Sequence, residues 1–271
     1  MPYTEQASTV RKSEWEKRVQ RAARLAERFA HSQEILAFYG EVLKLQRRIF
    51  DEISQAPAPS ASSEARVCGR LDVAEAARHL PALLSLVEEQ GPAKLAEEAS
   101  TIRGESAEQR GTMLASLLAG ELSERAFFAR ALLQPYAERL AASLPVPAYA
   151  GDKSVCPLCD SRPQAAVLRP EGDGGKRYLL CSLCLTEWEF RRILCPACGE
   201  ENHRQLPRYS AEEVDAVRVE GCDTCHFYLK SVDMTVDGLA VPLVDEVATV
   251  PLDLWASEHG YKKITPNLMG F

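Results

Sequence analysis

The chain has 271 residues, of which 46% are hydrophobic and 26% charged, and its net charge is −7. This balance is typical of a globular protein with enough residues for a large core. The negative charge disfavours a general nucleic-acid-binding protein, because phosphate contact needs a basic surface. The sequence shows no apolar run suited to a signal peptide or a bilayer span, so we expect a cytoplasmic protein without stable membrane insertion.

The first half of the chain is rich in Ala, Leu, Glu and Arg and has helical periodicity. One stripe of apolar residues recurs at intervals of three or four: Trp15, Val19, Ala22, Ala26 and Phe29. A second periodic stretch covers residues 35–53, and a loop is predicted at 55–63 (QAPAPSASS). We expect the basic residues of the first helix to form a solvated face, although such a helix could also lie on a membrane.

Capping residues place further helices in this half. Asp72 with Glu75 indicates a capping box, and Ser106 and Ser123 are candidate N-caps of two later helices, the last bent at Pro135. These signals predict an all-α bundle of five to seven helices over residues 1–148.

The second half changes character. Short alternating segments at residues 177–180 and 226–230 predict strands, and residues 251–258 (PLDLWASE) predict a short C-terminal helix. Eight of the nine cysteines lie here, within 151–245, while Cys68 stands alone in the first half. In a cytosolic protein such a cluster favours metal binding over disulfides, and Cys68 is expected to be a half-buried thiol.

The eight cysteines form four C-x-x-C pairs. A tight turn at each pair presents two sulfurs to one edge of a tetrahedron, so two pairs complete a four-thiolate metal site. The candidate ligands are Cys156, Cys159, Cys181, Cys184, Cys195, Cys198, Cys222 and Cys225.

Spacing decides which pairs share a metal. The first two pairs are separated by 21 residues and the last two by 23, close to the gap typical of zinc sites, whereas the middle gap is 10. The first and third pairs share a proline and are followed by Asp160 and Gly199, which tolerate a left-handed backbone; the second and fourth lack both features. We therefore predict two tandem rubredoxin-like or zinc-ribbon-like modules at 149–191 and 192–245, before a C-terminal helix and tail at 246–271. The fold class is α+β and multi-domain.

The stretch GCDTCHF, residues 221–227, also matches the C-x-x-C-H spacing of a c-type haem attachment. Tandem pairing opposes this interpretation, because Cys222 and Cys225 are needed to complete the second four-cysteine site. His226 is then the residue that follows the turn and starts a strand, and His203 is a loop histidine.

Three classes of function compete at this point. Residues 151–245 hold 11 Lys and Arg against 16 Asp and Glu, which would repel nucleic-acid phosphates. An oxidoreductase would need a nucleotide-binding motif, and the sequence has neither G-x-G-x-x-G nor a P-loop. A helical bundle that carries metal-stabilised binding modules fits best. Four thiolates suit iron and zinc alike.

The chain resembles the formate dehydrogenase accessory protein family, FdhE. The resemblance is carried by VCPLCDSRP, RYLLCSLCLTEWEFRRILCPACGE, GCDTCHFYLKSVD and the ending LDLWASEHGY…NLMGF, about 120 residues in all. The helical half agrees in type alone.

The resemblance implies a cytoplasmic, non-enzymatic maturation protein without catalytic residues. It would bind the catalytic subunit of a respiratory formate dehydrogenase and be required for that enzyme's activity. It also implies two metal ions, with iron favoured and zinc possible, held by the eight cysteines. The alternatives are a rubredoxin-like redox protein and a zinc-ribbon interaction module with another client.

Overall fold

The computed structural model describes residues 3–55, 66–120, 125–146, 152–172 and 174–271, with side chains from residue 14 onward. Ser123 and all of the predicted 55–63 loop except Gln55 lie outside these ranges. The described part of the N-terminal half contains seven α-helices, which confirms the predicted bundle. They are α1 (Tyr3–Arg28), α2 (Gln33–Gln55), α3 (Val73–Ala77), α4 (Leu80–Gln90), α5 (Ala93–Gly104), α6 (Ala107–Leu118) and α7 (Ala126–Ala142).

Two helix starts follow the predicted capping chemistry. The Asp72 carboxylate accepts a hydrogen bond from the Glu75 N–H at 3.0 Å and caps α3, but the Glu75 side chain binds Arg78 instead of returning to Asp72, so the predicted capping box is only half formed. Ser106 and Gln109 form a complete capping box at the start of α6. The helix α7 continues through Pro135.

The apolar stripe of α1 faces the bundle core. Trp15 and Ala22 are fully buried, and the other members pack against the same cluster. The expectation of a solvated basic face is wrong for two residues. Arg18 binds Glu138 of α7 through two hydrogen bonds of 2.8 Å, and the buried Arg21 binds Asp245. Both arginines find carboxylates on distant parts of the chain, which compensates the cost of their burial.

The second half forms one mixed sheet. Its strands are β1 (Pro163–Glu171), β2 (Gly174–Cys181), β3 (Glu187–Glu189), β4 (Arg208–Ser210), β5 (Val217–Gly221), β6 (Phe227–Asp233) and β7 (Lys262–Lys263). The order is β3-β2-β1-β6-β5-β4, with β7 paired to β6. Both predicted strand segments are confirmed, as parts of β2 and β6.

A parallel pairing joins the two cysteine-bearing segments. Ala165 to Leu168 of β1 align with Lys230 to Asp233 of β6, while the other pairings along the six-strand path are antiparallel. One sheet therefore spans both segments, and the division at residues 191 and 192 remains a prediction.

Two short helices follow the sheet: α8 (Pro242–Ala248), which was not predicted, and α9 (Val250–Glu258), which confirms the predicted C-terminal helix. They are tied to the sheet by a buried cluster of charges. Lys230 of β6 and Lys263 of β7 both form ion pairs with Glu246 of α8 and Asp253 of α9. Two cations and two anions balance, so the cluster carries no net charge into the interior.

The helices and the sheet share apolar cores. Leu133, Ala137 and Leu140 of α7 belong to the same buried cluster as Trp188 and the first four cysteines. The first cysteine site is therefore packed against the bundle.

Candidate metal centres

The first candidate centre lies where the start of β1 meets the end of β2. The sulfurs of Cys156 and Cys184 are 3.5 Å apart, and the sulfur of Cys159 lies 3.3 Å from that of Cys181 and 3.5 Å from that of Cys184. All four side chains are buried.

The second candidate centre lies between the segment before β4 and the turn that joins β5 to β6. The sulfurs of Cys195 and Cys225 are 3.8 Å apart, and those of Cys198 and Cys222 are 3.7 Å apart. The cysteines thus group as the spacing predicted, first pair with second and third pair with fourth. This grouping removes the basis for a haem at Cys222 and Cys225.

All four turns have the same backbone form. In the first and third, the cysteine N–H donates to the carbonyl of Ser161 or Glu200 at 2.9 Å. In the second and fourth, it donates to the carbonyl of Thr186 or Phe227 at 3.0 Å. Each turn is therefore closed by a backbone hydrogen bond from its first cysteine.

The residue after each second cysteine has a left-handed backbone. The φ angles are 58° at Asp160, 56° at Leu185, 80° at Gly199 and 57° at His226. The sequence predicted a residue that tolerates a left-handed backbone only after the first and third pairs. This distinction is wrong, because all four turns have a left-handed residue at this position. Histidine is among the residues enriched at positive φ, whereas leucine adopts it at a cost, so Leu185 gave no signal in the sequence. The strand β6 begins one residue after His226.

The sulfur separations fit a tetrahedral metal. With metal–sulfur bonds of about 2.3 Å, the edge of a four-sulfur tetrahedron is about 3.8 Å. The second centre matches this edge, and the first is slightly tighter. Both four-cysteine groups could hold a metal ion.

The two centres differ in their access to solvent. The four cysteines of the first centre are buried, whereas in the second Cys198 is exposed and Cys225 is half-buried. A cavity of about 410 Å³, lined by Cys195, Cys198 and Arg191, opens beside the second centre. Reagents in solution therefore reach the second centre more readily.

The electrostatics of both centres call for a cation. Burial raises the pKa of Cys181 well above its usual range and raises the pKa of Cys195 to about 11. At Cys222 burial also opposes ionisation, but the N–H groups of Cys225 and Thr224 outweigh it and lower the pKa. Four thiolates in such a site are stable when a cation offsets their charge.

The remaining candidate residues lie outside the two groups. Cys68 is half-buried as predicted, yet its Sγ lies 3.1 Å from the carbonyl oxygen of Cys159, beside the first centre. His203 is exposed in a short 3-10 turn, consistent with a loop histidine. The ring of His226 packs near that of Tyr261, with centroids 6.3 Å apart.

One buried ion pair between the two cysteine-bearing segments escaped the sequence analysis. Arg177 of β2 donates to Glu220 of β5 at 2.7 Å and to the carbonyl of Arg191 at 2.9 Å. The sequence offered no signal, because the two residues are 43 positions apart.

Among the described helices, none is both long enough and apolar enough to cross a membrane.

A helical bundle followed by a sheet with two four-cysteine centres defines a protein of the rubredoxin-like or zinc-ribbon-like class, with a helical domain in front. Residues 155–192 match the family described as FdhE, central domain, and residues 193–269 match FdhE, C-terminal domain. The chain belongs to the FdhE family.

Individual relatives match this chain over different lengths. A protein FdhE homolog from Aquifex aeolicus is 30% identical over 260 residues, covering 91% of this chain and 92% of the relative. A homolog from Pseudomonas aeruginosa is 39% identical over 124 residues, 43% of this chain and 40% of the relative. The crystal structure of the FdhE protein from Pseudomonas aeruginosa superposes with a TM-score of 0.76 at 28% identity, covering 95% of this chain and 96% of that one.

Proposed function

We propose that this protein is a maturation factor that binds the catalytic subunit of a respiratory formate dehydrogenase in the cytoplasm and is required for that enzyme's activity. The observation that carries the proposal is the pair of four-cysteine centres in a chain of the FdhE family. In this role the protein is not itself an enzyme and does not oxidise formate.

All eight paired cysteines are metal ligands in this proposal. Each centre holds one ion through four thiolates, with iron favoured and zinc possible. A closed four-thiolate shell leaves no open position for a substrate, which suits a binding role better than a catalytic one.

The second centre and its surroundings form the contact face for the dehydrogenase subunit. Cys198 is exposed there, and Ile193, just before the third cysteine pair, is 50% exposed. An exposed apolar residue that lies two positions before a metal-binding turn suits recognition by another protein. The first centre, buried against α7, serves to fix the fold.

Co-purification tests the proposal. Affinity-tagged protein should retain the dehydrogenase catalytic subunit from an extract of cells that make the enzyme, and deletion of the accessory gene should abolish formate oxidation. Ile193→Asp should weaken retention by at least about tenfold, as expected for an apolar contact residue at an interface. Leu254→Asp, at a 53% exposed position on α9, is the matched control and should retain the subunit. Failure of the unmodified protein to retain the subunit would refute the proposal.

A redox role is the second candidate, and the exposure of Cys198 favours it. An iron–thiolate centre open to solvent at one sulfur can exchange electrons with a partner. Protein purified without oxygen should then be coloured when oxidised and bleach on reduction. A colourless protein that contains zinc would exclude this role and leave the binding role intact.

A further inference from the structure

A large cavity, lined by none of the paired cysteines, lies in the helical domain. It measures about 940 Å³ and is bounded by α2, the junction of α4 with α5, the start of α7 and residues 266–271. Much of its wall is apolar, including Ile35, Phe38, Leu95 and Phe127. Cavities of this size and character, with a few polar groups at defined places, are typical of ligand sites.

The polar group that distinguishes this cavity is Arg130. It is 5% exposed and lines the cavity from α7. Its Nη1 donates to the carbonyl oxygen of Pro266 at 2.6 Å, and this is its sole hydrogen bond among the described residues. A guanidinium has five N–H donors, so most of its capacity remains unused.

No described carboxylate forms an ion pair with Arg130, in contrast to three other arginines that are buried or nearly so. Arg18, Arg21 and Arg177 each have an acidic partner within 2.8 Å. Burial lowers the pKa of Arg130, which a thiolate at Cys181 opposes. A buried guanidinium with one hydrogen bond and no direct ion-pair partner is costly, and an anion supplied by a ligand would offset that cost.

The other charges on the cavity wall restrict where an anion can lie. Glu34 and Glu41 line the side formed by α2, and Glu41 is paired with Lys44 at 2.6 Å. These carboxylates repel a negative group on their side of the cavity, so the anion is confined to the Arg130 end. Gln90, whose side-chain amide has no partner among the described residues, offers a donor and an acceptor suited to a peptide group.

The geometry points to a peptide-binding site: the cavity takes a short apolar segment of another protein whose carboxylate pairs with Arg130. The segment's apolar side chains fill the space beside Phe38 and Phe127, and a free chain terminus or an acidic side chain supplies the carboxylate. This site is independent of the proposed dehydrogenase contact, which lies at the second cysteine centre.

Affinity selection with defined peptide pools tests the site. The full-length, metal-loaded protein is mixed with hexapeptides randomised over Leu, Ile, Val, Phe and Met that end in a free carboxylate, and with the same pool ending in an amide. A third pool ends in an amide but carries one internal Asp, which separates a side-chain carboxylate from a chain terminus. Retained peptides are quantified by mass spectrometry. At least one carboxylate pool should be retained about tenfold more than the neutral amides, a difference of about 1.4 kcal/mol that one charge-assisted hydrogen bond can supply.

Two variants locate the binding. Arg130→Gln should abolish the preference for carboxylate, with Arg48→Gln, at an exposed position on α2, as its control. Ala37→Trp adds bulk at an exposed position on the cavity wall and should reduce retention of all pools, whereas Ala23→Trp on α1 should not. Ala37→Trp tests the site even if Arg130→Gln fails to fold, which circular dichroism would detect.

Three results would overturn the inference: equal retention of carboxylate and neutral pools, retention that Ala37→Trp leaves unchanged, or no retention at all. Dodecanoate is included as a separate probe. Binding of dodecanoate without any peptide would show that the cavity takes a fatty acid and would refute the peptide assignment.

Discussion

Arg177 and Glu220 join the two cysteine-bearing segments through a buried ion pair, with the guanidinium Nη2 2.7 Å from the carboxylate oxygen. Arg177 lies on β2, which ends at Cys181 of the first centre, and Glu220 lies two residues before Cys222 of the second. The side chain of Arg177 is 3% exposed and that of Glu220 is 11% exposed. The pair therefore couples the positions of the two centres.

Glu220→Gln should lower the free energy of unfolding by about 3–5 kcal/mol, the cost of leaving one partner of a buried pair without its counter-charge. Urea denaturation at pH 7 measures the change. Glu212→Gln, at an exposed position, is the control and should change stability little. A loss below about 1 kcal/mol would mean that the pair is as weak as a surface ion pair.

The same pair predicts a pH dependence. Burial opposes the charge on Glu220, but Arg177, Arg208 and Arg218 outweigh it and lower the pKa of Glu220 below its usual 4.5. Because the folded pKa is lower than the unfolded one, the stabilisation is present above pH 4.5 and is lost as the pH falls through the folded pKa. The stability difference between the unmodified protein and Glu220→Gln should therefore narrow below pH 4.5. Metal loss at low pH affects both proteins, so it cancels when their free energies of unfolding are subtracted. A stability difference that stays unchanged below pH 4.5 would contradict the assignment of the lowered pKa to Glu220.

Cysteine substitutions test the sharing of metal. Cys156→Ser should remove most of one metal equivalent, Cys225→Ser most of the other, and the double variant both, because serine is a poor ligand in a thiolate site. Cys68→Ser should retain both equivalents. Elemental analysis of the purified variants gives the answer. If the double variant kept a full equivalent, the pairing of first with second and third with fourth would be wrong.

The unequal burial of the centres predicts unequal metal release. A chelator should remove metal from the second centre first, since Cys198 is exposed and all four ligands of the first centre are buried. Thiol alkylation during chelation, followed by mass spectrometry, should modify Cys198 and Cys225 before Cys156 and Cys159. Simultaneous modification of both sets would indicate that the centres open together.

Two substitutions of His226 distinguish a role of its backbone conformation from a role of its imidazole as a metal ligand. His226→Gly should keep both metal equivalents, because glycine adopts the observed φ of 57° without strain. His226→Val should lower stability by about 1–2 kcal/mol, since a branched side chain is disfavoured in that conformation. Thermal unfolding with metal analysis measures both effects, and loss of metal from the glycine variant would show that the imidazole is a ligand.

Local spacing made the cysteine grouping predictable. Each C-x-x-C pair spans four residues, and the lengths of the gaps between pairs indicate which two pairs share a metal. Helix starts at Asp72 and Ser106 were predictable for the same reason, because their capping partners lie three residues away.

Features that depend on distant partners were not predictable. Arg21 reads as a surface residue of α1, yet its carboxylate partner Asp245 lies 224 positions away. Lys230 lies on β6, and its two acidic partners lie on α8 and α9, which come later in the chain. The sequence does not indicate that Arg130 is buried. Its place on the wall of a cavity depends on residues 266–271, which form another part of that wall.

The parallel pairing of β1 with β6 sets an order of events during synthesis. Once residue 184 has emerged from the ribosome, all four sulfurs of the first centre are available, and the hairpin of β1 and β2 can close locally. The other edge of β1 stays uncovered until residues 230–233 arrive and pair with residues 165–168. The nascent chain therefore exposes an unpaired strand edge, prone to association with other chains, while some 45 further residues are made. Early metal capture at the first centre would hold the hairpin in register through that interval.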